Sequence, residues 1–422
     1  MKRSAAIGLA LLLAAGMAAA TLGWLGLRSG PLSPLPAVTD EAAAAARGAV
    51  VARAGNCAGC HTARGGARYA GGRPLPTPFG TVYSANLTPD DATGLGRWRA
   101  DDLRRALHDG RSRDGRLLVP ACPFDSFTRI GADDVAALYA FLRRLPPVVQ
   151  PQRPHALRFP YGTQAALVAW RALFFRAGRF EPAPARSAAW NRGAYLVQGP
   201  GHCAACHAPR NAWGAMVDAP ALGGGLMPVQ HWYAPPLGPT AGADAADAAA
   251  LARLLAVGRS DSAALLGPMA EVVLHSTQHL PAADLDAIAT YLLALPPRSP
   301  PRSRSADPDA QRLERGRRLY GDHCADCHGD DGRGRPGAYL PLAGNPAVLR
   351  EPPANLVQVV LGGAFSASTH GNPRPFGMPP FAQQLDSAAV ADVLSYVRSA
   401  WGNRAAPVSA LQVERWRNGA RE

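Results

Sequence analysis

The chain has 422 residues, enough for about two to four domains of ordinary size. With 47% hydrophobic and 18% charged residues it has the composition of a globular protein, and 44 Gly and 40 Pro predict short elements joined by many turns. The net charge is +13, but no basic run is interleaved with aromatic residues, so an acidic protein partner or anionic lipid is favoured and nucleic acid is not.

The first predicted element is an apolar segment at the N-terminus. Lys2 and Arg3 precede an almost uninterrupted apolar run from Ala5 to Leu27, which contains a small-residue cleavage site at Ala18-Ala19-Ala20. About 20 apolar residues suffice to cross a bilayer, so residues 1–30 are predicted to be either a signal peptide or an N-terminal membrane anchor. Either alternative places the rest of the chain on the periplasmic side of a bacterial inner membrane.

The sequence Cys-x-x-Cys-His occurs three times, and each copy predicts covalent attachment of a haem. The motifs are Cys57-Ala-Gly-Cys60-His61, Cys203-Ala-Ala-Cys206-His207 and Cys324-Ala-Asp-Cys327-His328. Two thiols three residues apart on one helical turn can each add to a haem vinyl group, and the next His can ligate the iron. Zinc would need four ligands in one place, and a redox-active Cys pair has no need of the His. The sequence therefore predicts three haem c groups, each with a His as iron ligand.

Helical patterns around the motifs predict three domains of one kind. A Gly in a short helical stretch precedes each motif, at Gly48, Gly193 and Gly316. An apolar face with spacing i, i+3, i+6, i+7 follows each motif and predicts a closing helix. These faces consist of Val135, Leu138, Phe141 and Leu142, then Leu285, Ile288, Tyr291 and Leu292, then Val390, Val393, Tyr396 and Val397. Acidic residues near the starts of these helices can cap them or offset their dipoles: Asp133, Asp284 and Asp386.

Pro-rich joints between the repeats set the predicted domain boundaries. The predicted order is a first domain at 40–148, a bridging segment at 149–186, a second domain at 187–298, a linker at 299–308, a third domain at 309–402 and a C-terminal tail at 403–422. The predicted fold class is all-α. It consists of three tandem class I cytochrome c domains, with short helices and long loops around covalently bound haem, preceded by the N-terminal apolar helix.

The loop ahead of each closing helix is predicted to supply the sixth ligand of the iron. A thioether sulfur there raises the reduction potential and blocks other ligands. Met378 occupies this position in the third domain and Met269 in the second, whereas the first domain has no Met and carries Cys122, the seventh cysteine, in the equivalent loop. As a thiolate ligand Cys122 would lower the potential of the first haem. As a neutral thiol it would leave that iron five-coordinate or bound by His108, which otherwise is an ordinary residue of a predicted helix at 101–109.

With these motifs the chain resembles the trihaem cytochrome c subunits of bacterial membrane-bound dehydrogenases. That family includes the cytochrome subunits of quinoprotein alcohol dehydrogenase and of flavin-dependent gluconate, sorbitol and fructose dehydrogenases. The likeness runs from about Arg47 to Arg417. Besides the haem motifs it is carried by Tyr83-Ser84-Ala85-Asn86-Leu87-Thr88-Pro89-Asp90, by Trp190-Asn191-Arg192-Gly193-Ala194-Tyr195-Leu196-Val197 and by Val397-Arg398-Ser399-Ala400-Trp401-Gly402-Asn403.

The resemblance implies an electron-transfer subunit with no catalytic residues for substrate oxidation. A partner subunit would oxidise a CH–OH or aldehyde donor, and this chain would pass the electrons to ubiquinone or to a downstream cytochrome or oxidase. Related cytochromes also accompany molybdenum hydroxylases, so the partner can be of the quinoprotein, flavoprotein or molybdenum type.

Cys122 departs from the family pattern, which has an axial Met at this position. Two alternative functions stay open, and only the first of them rests on Cys122. One is a haem enzyme acting at the first haem, similar to thiosulfate dehydrogenases or to a peroxidase, and the other is a free-standing electron shuttle.

Overall fold

The computed structural model describes residues 2–30, 34–227, 229–239, 247–298 and 309–419. They form two compact units. The first comprises Met1–Pro184, Tyr195–Ala205 and Arg210–Val217, and the second comprises Ala185–Ala194, Cys206–Pro209 and Asp218–Glu422. The linker predicted at 299–308 lies outside the described residues, and the predicted boundaries of the three domains stay predictions.

Helices dominate both units. Up to the second haem motif they are α1 (Lys2–Leu27), α2 (Glu41–Ala54), α3 (Cys57–Cys60), α4 (Ala100–Asp109), α5 (Phe124–Phe127), α6 (Ala132–Arg143), α7 (Gln164–Phe174), α8 (Ala188–Gln198) and α9 (Ala204–His207). After it they are α10 (Ala248–Val257), α11 (Pro268–His275), α12 (Ala282–Leu293), α13 (Ala310–His323), α14 (Ala325–His328), α15 (Pro346–Leu349), α16 (Ala354–Gly362), α17 (Ser387–Val397) and α18 (Ala410–Gly419).

Short antiparallel strands, which the all-α prediction does not include, lie between the helices. They are β1 (Pro74–Thr77), β2 (Gly80–Tyr83), β3 (Ala156–Leu157), β4 (Gly225–Leu226), β5 (Tyr233–Ala234), β6 (Ala364–Phe365) and β7 (Gly377–Met378). β1, β2 and β3 form one sheet in that order, and β4 pairs with β5 and β6 with β7. In the β1–β2 hairpin Thr77 is opposite Gly80, so Pro78 and Phe79 make the turn.

An opening and a closing helix cross at a glycine in each repeat. A Cβ on Gly48 of α2 would lie 1.9 Å from the carbonyl oxygen of Ala137 in α6, and one on Gly193 of α8 would lie 1.9 Å from that of Ala287 in α12. In the third repeat a Cβ on Gly316 of α13 would lie 2.3 Å from the carbonyl oxygen of Asp392 in α17. Only a residue without a side chain allows backbones to approach this closely, so the three glycines set the same crossing three times.

The predicted apolar faces of the closing helices are buried at ten of their twelve positions, and the aromatic residues Phe141 and Tyr396 are half-buried. Each closing-helix aromatic makes a ring contact. Phe141 meets Tyr69, Tyr291 meets Trp190 of α8, and Tyr396 meets Tyr320 of α13, at centroid distances of 5.8, 5.2 and 5.6 Å. In the second and third repeats the aromatic therefore packs against the opening helix.

The acidic residues at the closing helices act differently from one repeat to the next. Asp386 caps α17, since its Oδ1 accepts a hydrogen bond from the backbone N–H of Ala389 at 2.7 Å. Asp284 instead accepts from Arg192 at 2.8 and 2.9 Å. Asp133 lies in the first turn of α6. Asp386 therefore caps its helix, whereas Asp284 lies in the first turn of α12, where a carboxylate offsets the helix dipole, and also binds Arg192 of the opening helix.

The bridging segment contains β3 and α7, and α7 packs against the C-terminal end of α1. A Cβ on Gly26 would lie 2.2 Å from the carbonyl oxygen of Val168 in α7. The buried Arg171 side chain donates from Nε to the carbonyl oxygen of Gly26 at 2.9 Å and also donates to the carbonyl oxygen of Asp109. Within the described residues, no helix has both the length and the apolar character needed to cross a bilayer.

The segment predicted as a C-terminal tail contributes to the core of the third repeat. Val408, Val413 and Trp416 are buried in the apolar cluster formed by α16 and α17. Two of these residues belong to α18. The described part of this segment is therefore an integral part of the second compact unit.

Candidate functional site

Each Cys-x-x-Cys-His motif lies in or around a one-turn helix that follows an opening helix: α3, α9 and α14. Burial, followed by the charge of the neighbouring motif cysteine, raises the pKa of Cys57 to about 12 and that of Cys324 to about 11. A buried sulfur at these positions is therefore stable when neutral, as it is in a thioether to a haem vinyl group. A zinc site would need thiolates, and among the described residues no group of three or more His, Cys, Asp or Glu is placed to hold a metal ion.

The motif histidines are held in the same way in all three repeats. The Nδ1 atoms of His61, His207 and His328 lie 2.7, 2.6 and 3.0 Å from the carbonyl oxygens of Ala85, Pro235 and Leu340. A carbonyl oxygen only accepts, so each Nδ1 carries the proton and donates it. Nε2 then has a free lone pair, which is what an iron ligand requires.

Burial lowers the pKa of each of these histidines, which also keeps the rings neutral. Two thiols and one neutral, oriented imidazole form the donor set for a covalently attached haem. The residues at all three motifs therefore fit this group, and they do so by the same geometry.

Met378 lies in β7, where it is paired with Ala364 of β6. It is half-buried, and its side chain packs against the core of the third repeat. Together with Trp232, Glu271 and Pro379 it lines a cavity of about 420 Å³. The strand pair fixes the backbone of this residue, as expected for a loop that presents an axial ligand.

Met269 is the second residue of α11. Two residues before it, Gly267 has a φ of +56°. A Cβ on Gly267 would lie 2.5 Å from the indole ring of Trp232. The turn that leads into Met269 is thus packed onto an aromatic ring and needs glycine at this position. The role of both methionines as sixth ligands stays a prediction.

Cys122 is packed against the apolar cluster of Phe127, Ile130 and Val135. Burial, with smaller contributions from the charges of Asp125, Cys60 and Cys57, raises the pKa of its thiol to about 12. The electrostatic influence of Cys57 and Cys60 shows that Cys122 lies near the first haem motif. In this environment the thiol is neutral as long as no metal binds it.

His108 lies near the C-terminal end of α4, as the sequence predicts. Burial lowers its pKa, and its strongest opposing interaction is a hydrogen bond with the backbone of Ile130. The side chain lines a second cavity, of about 310 Å³, together with Asp109 and Tyr195.

Ion pairs that the sequence patterns did not predict lie beside the glycine crossings. The residue before each crossing glycine is an arginine, and its Nε donates to an aspartate on the closing helix: Arg47 to Asp134 at 2.6 Å, Arg192 to Asp284 at 2.8 Å and Arg315 to Asp392 at 2.8 Å. The Arg-Gly dipeptide, present in all three repeats, is the signal that could have revealed them. Because the opening helix leads into the haem motif, these pairs help to place it.

Known proteins match two segments of the chain as a family model and nearly its whole length as individual relatives. The cytochrome c family model matches residues 45–146 and 313–401. The cytochrome c subunit of alcohol dehydrogenase (quinone) from Gluconacetobacter polyoxogenes is 37% identical over 397 residues, which cover 90% of this chain and 85% of that protein. The gluconate 2-dehydrogenase cytochrome c subunit of Pantoea cypripedii is 37% identical over 92% and 93% of the two chains, and the fructose dehydrogenase cytochrome subunit of Gluconobacter japonicus is 33% identical over 94% and 87%.

These relatives are similar in sequence to this chain over nearly its full length, and its motifs provide the donors for covalently bound haem c. The chain therefore belongs to the family of cytochrome c subunits of bacterial alcohol, gluconate and fructose dehydrogenases.

Proposed function

We propose that this chain is the electron-transfer subunit of a membrane-bound, periplasm-facing dehydrogenase and that it carries three haem c groups. A partner subunit oxidises a CH–OH or aldehyde donor, and this chain passes the electrons to ubiquinone or to a terminal acceptor. The observation that carries the proposal is the thrice-repeated motif histidine, oriented through Nδ1 by a backbone carbonyl, in a chain whose full-length relatives are dehydrogenase cytochrome subunits.

When bound, each haem supplies a reversible one-electron couple at its iron. The chain's own residues would attach and orient it: two cysteines would form thioethers, the motif His would ligate the iron, and the carbonyl partner would fix the plane of the imidazole. Met269 and Met378 are the proposed sixth ligands of the second and third haems. Cys122 is the proposed sixth ligand of the first, and iron binding would have to overcome the burial that now keeps its thiol protonated.

Three haems are supported by the repetition of the whole supporting structure. Each motif is preceded by an opening helix that crosses a closing helix at a glycine, with an Arg–Asp pair beside the crossing. The second motif falls outside the segments that the cytochrome c family model matches, yet its histidine has the same hydrogen bond as the other two.

The partner and its cofactor are proposed from the relatives. The relatives' names include quinone-type alcohol dehydrogenase, gluconate 2-dehydrogenase and fructose dehydrogenase, so a quinoprotein or a flavoprotein partner is expected, and a molybdenum protein is a third alternative. The net charge of +13 favours docking to an acidic protein face or to anionic lipid.

The proposed location is the periplasmic side of the bacterial inner membrane. The basic and apolar N-terminal segment supports export. The packing of Gly26 on α7, and its hydrogen bond from the buried Arg171, support a mature chain that retains at least the end of α1. Mass spectrometry of the mature N-terminus tests this: a chain that begins after Leu27 would contradict a structural role for α1.

The test of function is purification of the tagged chain from detergent-solubilised membranes. Co-purifying chains are identified by mass spectrometry and assayed for flavin, pyrroloquinoline quinone and molybdenum. A bound dehydrogenase subunit is expected, together with loss of substrate-dependent respiration when the gene is deleted. A solitary trihaem protein, with respiration on alcohols, sugars and aldehydes unchanged by the deletion, would overturn the proposal.

A control variant separates electron transfer from assembly. Replacing both Cys324 and Cys327 by Ala removes the attachment of one haem but leaves the first two motifs intact. The dehydrogenase should still co-purify with this variant, while reduction of the acceptor falls. If the dehydrogenase no longer co-purifies, the substitution acts through folding. The haem content of the isolated variant would then fall below two per chain.

A further inference from the structure

Two short lead-in segments, residues 55–56 before the first haem motif and residues 200–202 before the second, touch each other within the first compact unit. The Nε2 atom of His202, the residue directly before Cys203, lies 3.3 Å from the carbonyl oxygen of Gly55, two residues before Cys57. A Cβ on Gly55 would lie 3.6 Å from the carbonyl oxygen of Pro200. This contact between a side chain and a backbone carbonyl therefore lies one residue before Cys203 and two residues before Cys57.

The two lead-in segments have the same local conformation. In each, a Gly is followed by a residue with positive φ and then by the first Cys: Asn56 has φ +47° and His202 has φ +37°. A Cβ on Gly55 would lie 3.3 Å from the Sγ of Cys57, and one on Gly201 would lie 3.6 Å from the Sγ of Cys203. A non-glycine residue with positive φ is uncommon, so its occurrence in both lead-in segments marks a conformation that the surroundings impose.

The third motif lacks such a lead-in segment. Its opening helix α13 runs to His323 and ends directly at Cys324. His323 is exposed, and its ring lies 5.9 Å from that of Phe381. The juxtaposition is therefore a property of the first two motifs among the three.

Further contacts tie the second lead-in segment and its opening helix to the first repeat. The imidazole of His202 packs edge-on against Phe127, which belongs to the cluster that contains Cys122, with ring centroids 5.3 Å apart. Seven residues before His202, the hydroxyl of Tyr195 donates to the carboxylate of Asp134 at 2.5 Å, on the closing helix of the first repeat. The side chain that makes the contact is thus held by packing, and the helix that leads to it is anchored by a hydrogen bond to the first repeat.

We propose that His202 is a positioning residue that pins the first and second lead-in segments together, so that their two haems form a directly coupled pair. The exchange between them moves one electron: one iron goes from ferrous to ferric as the other goes from ferric to ferrous, and no bond or proton is transferred. Holding the segments before Cys57 and Cys203 together shortens the distance that the electron crosses between the two haems and keeps this distance constant. The inference rests on the proposed three-haem function. It assigns the shortest electron transfer between haems of this chain to the first and second haems.

The test uses the purified full-length holoprotein and needs no dehydrogenase. In His202→Phe the ring can still pack on Phe127 but the N–H donor is lost, whereas His202→Gln keeps a donor. His323→Phe, at the equivalent position of the third motif, is the matched control. Haem content is verified first for every variant.

Electron paramagnetic resonance of the oxidised and partly reduced protein reports magnetic coupling between irons, and a potentiometric titration reports how reduction of one haem shifts the other. In the Cys324→Ala, Cys327→Ala variant, where only the first two haems remain, the native His202 is expected to show coupling. His202→Phe should weaken the interaction by about tenfold in equilibrium constant, about 59 mV for a one-electron couple. Gln should restore most of it, and His323→Phe should change nothing.

Two independent one-electron transitions with uncoupled spectra in the two-haem protein would overturn the pairing. Identical interactions in His202→Phe and in the wild-type chain would overturn the role of His202. If His202→Phe fails to retain haem, the two-haem protein with native His202 still decides the pairing. Because none of these measurements involves a partner subunit, a failure of the subunit proposal would leave their outcome unaffected.

Discussion

The glycine crossing in the third repeat predicts that replacing Gly by Ala at two positions of α13, Gly316 and Gly321, will change the free energy of unfolding in opposite directions. In α13 the Cβ of Gly316→Ala would lie 2.3 Å from the carbonyl oxygen of Asp392 and 2.8 Å from the Cβ of Tyr396. Real Cβ atoms stay beyond 3.0 Å, so the backbones of α13 and α17 have to separate. Overpacking of this kind costs about 1–3 kcal/mol, which the better helix propensity of Ala offsets by about 1 kcal/mol.

The net expectation for Gly316→Ala is a loss of up to about 2 kcal/mol in the free energy of unfolding of this repeat. Gly321→Ala is the control, because Gly321 lies five residues further along α13, is exposed, and would have no neighbouring atom within 4 Å of an added Cβ. It should stabilise the repeat by about 0.5–1 kcal/mol.

Guanidinium titrations of the holoprotein, followed by haem absorbance and far-ultraviolet circular dichroism, measure both changes on the same transition. A Gly316→Ala protein that gains as much stability as the Gly321→Ala protein would refute the crossing geometry. A Gly321→Ala protein that loses stability would instead show that an added side chain destabilises α13 even away from the crossing. The loss in Gly316→Ala would then not be evidence for the crossing.

Three further predictions concern the haems and their loops. Replacing Cys324 and Cys327 by Ala should lower the haem content from three to two per chain in a pyridine haemochrome assay, and an unchanged content would contradict attachment at this motif. Cys122→Met should raise the potential of the first haem by roughly 0.1 V or more, since axial ligands set haem potentials over about 0.8 V; an unchanged potentiometric titration would exclude Cys122 as a ligand. Hydrogen bonds from the side chain and backbone of Thr93 lower the pKa of Asp90, so their stabilising effect is complete above the unfolded-state pKa and is lost as pH falls through the folded-state pKa. Asp90→Asn should therefore flatten the decline in the unfolding midpoint between about pH 5 and pH 2, and an equally steep decline would contradict the assignment.

The parts of the site that depend on local spacing could be predicted from the sequence. The haem motifs and the closing helices have fixed spacings, because one helical turn sets the distance between two thiols and an apolar stripe sets which helix face is buried. The carbonyl partners of the histidines could not be predicted in this way. Ala85, Pro235 and Leu340 follow their histidines at intervals of 24, 28 and 12 residues, so no common spacing identifies them.

The C-terminal helix was missed for a related reason. Its buried residues Val413 and Trp416 show only a short apolar pattern among charged neighbours, and their burial depends on α16 and α17, far away in sequence. The short strands were missed as well. β6 and β7 have two residues each, and their pairing of Ala364 with Met378 is decided by the tertiary fold, because so short a strand has no periodicity to read.

The repeats are alike in their helix crossings, in the Arg–Asp pairs beside them and in the hydrogen bonds of their histidines, so these features would not make the three proposed haem irons differ. Differences in reduction potential have to come from the loops, where the proposed sixth ligands are Cys122, Met269 and Met378, and from the burial of each haem. A thiolate lowers the potential of an iron and a thioether raises it, so the proposed ligands make the first haem the weakest oxidant of the three. In the proposed relay the gradient therefore runs away from Cys122, and the contact of His202 with Gly55 lies where the electron makes its first step along it.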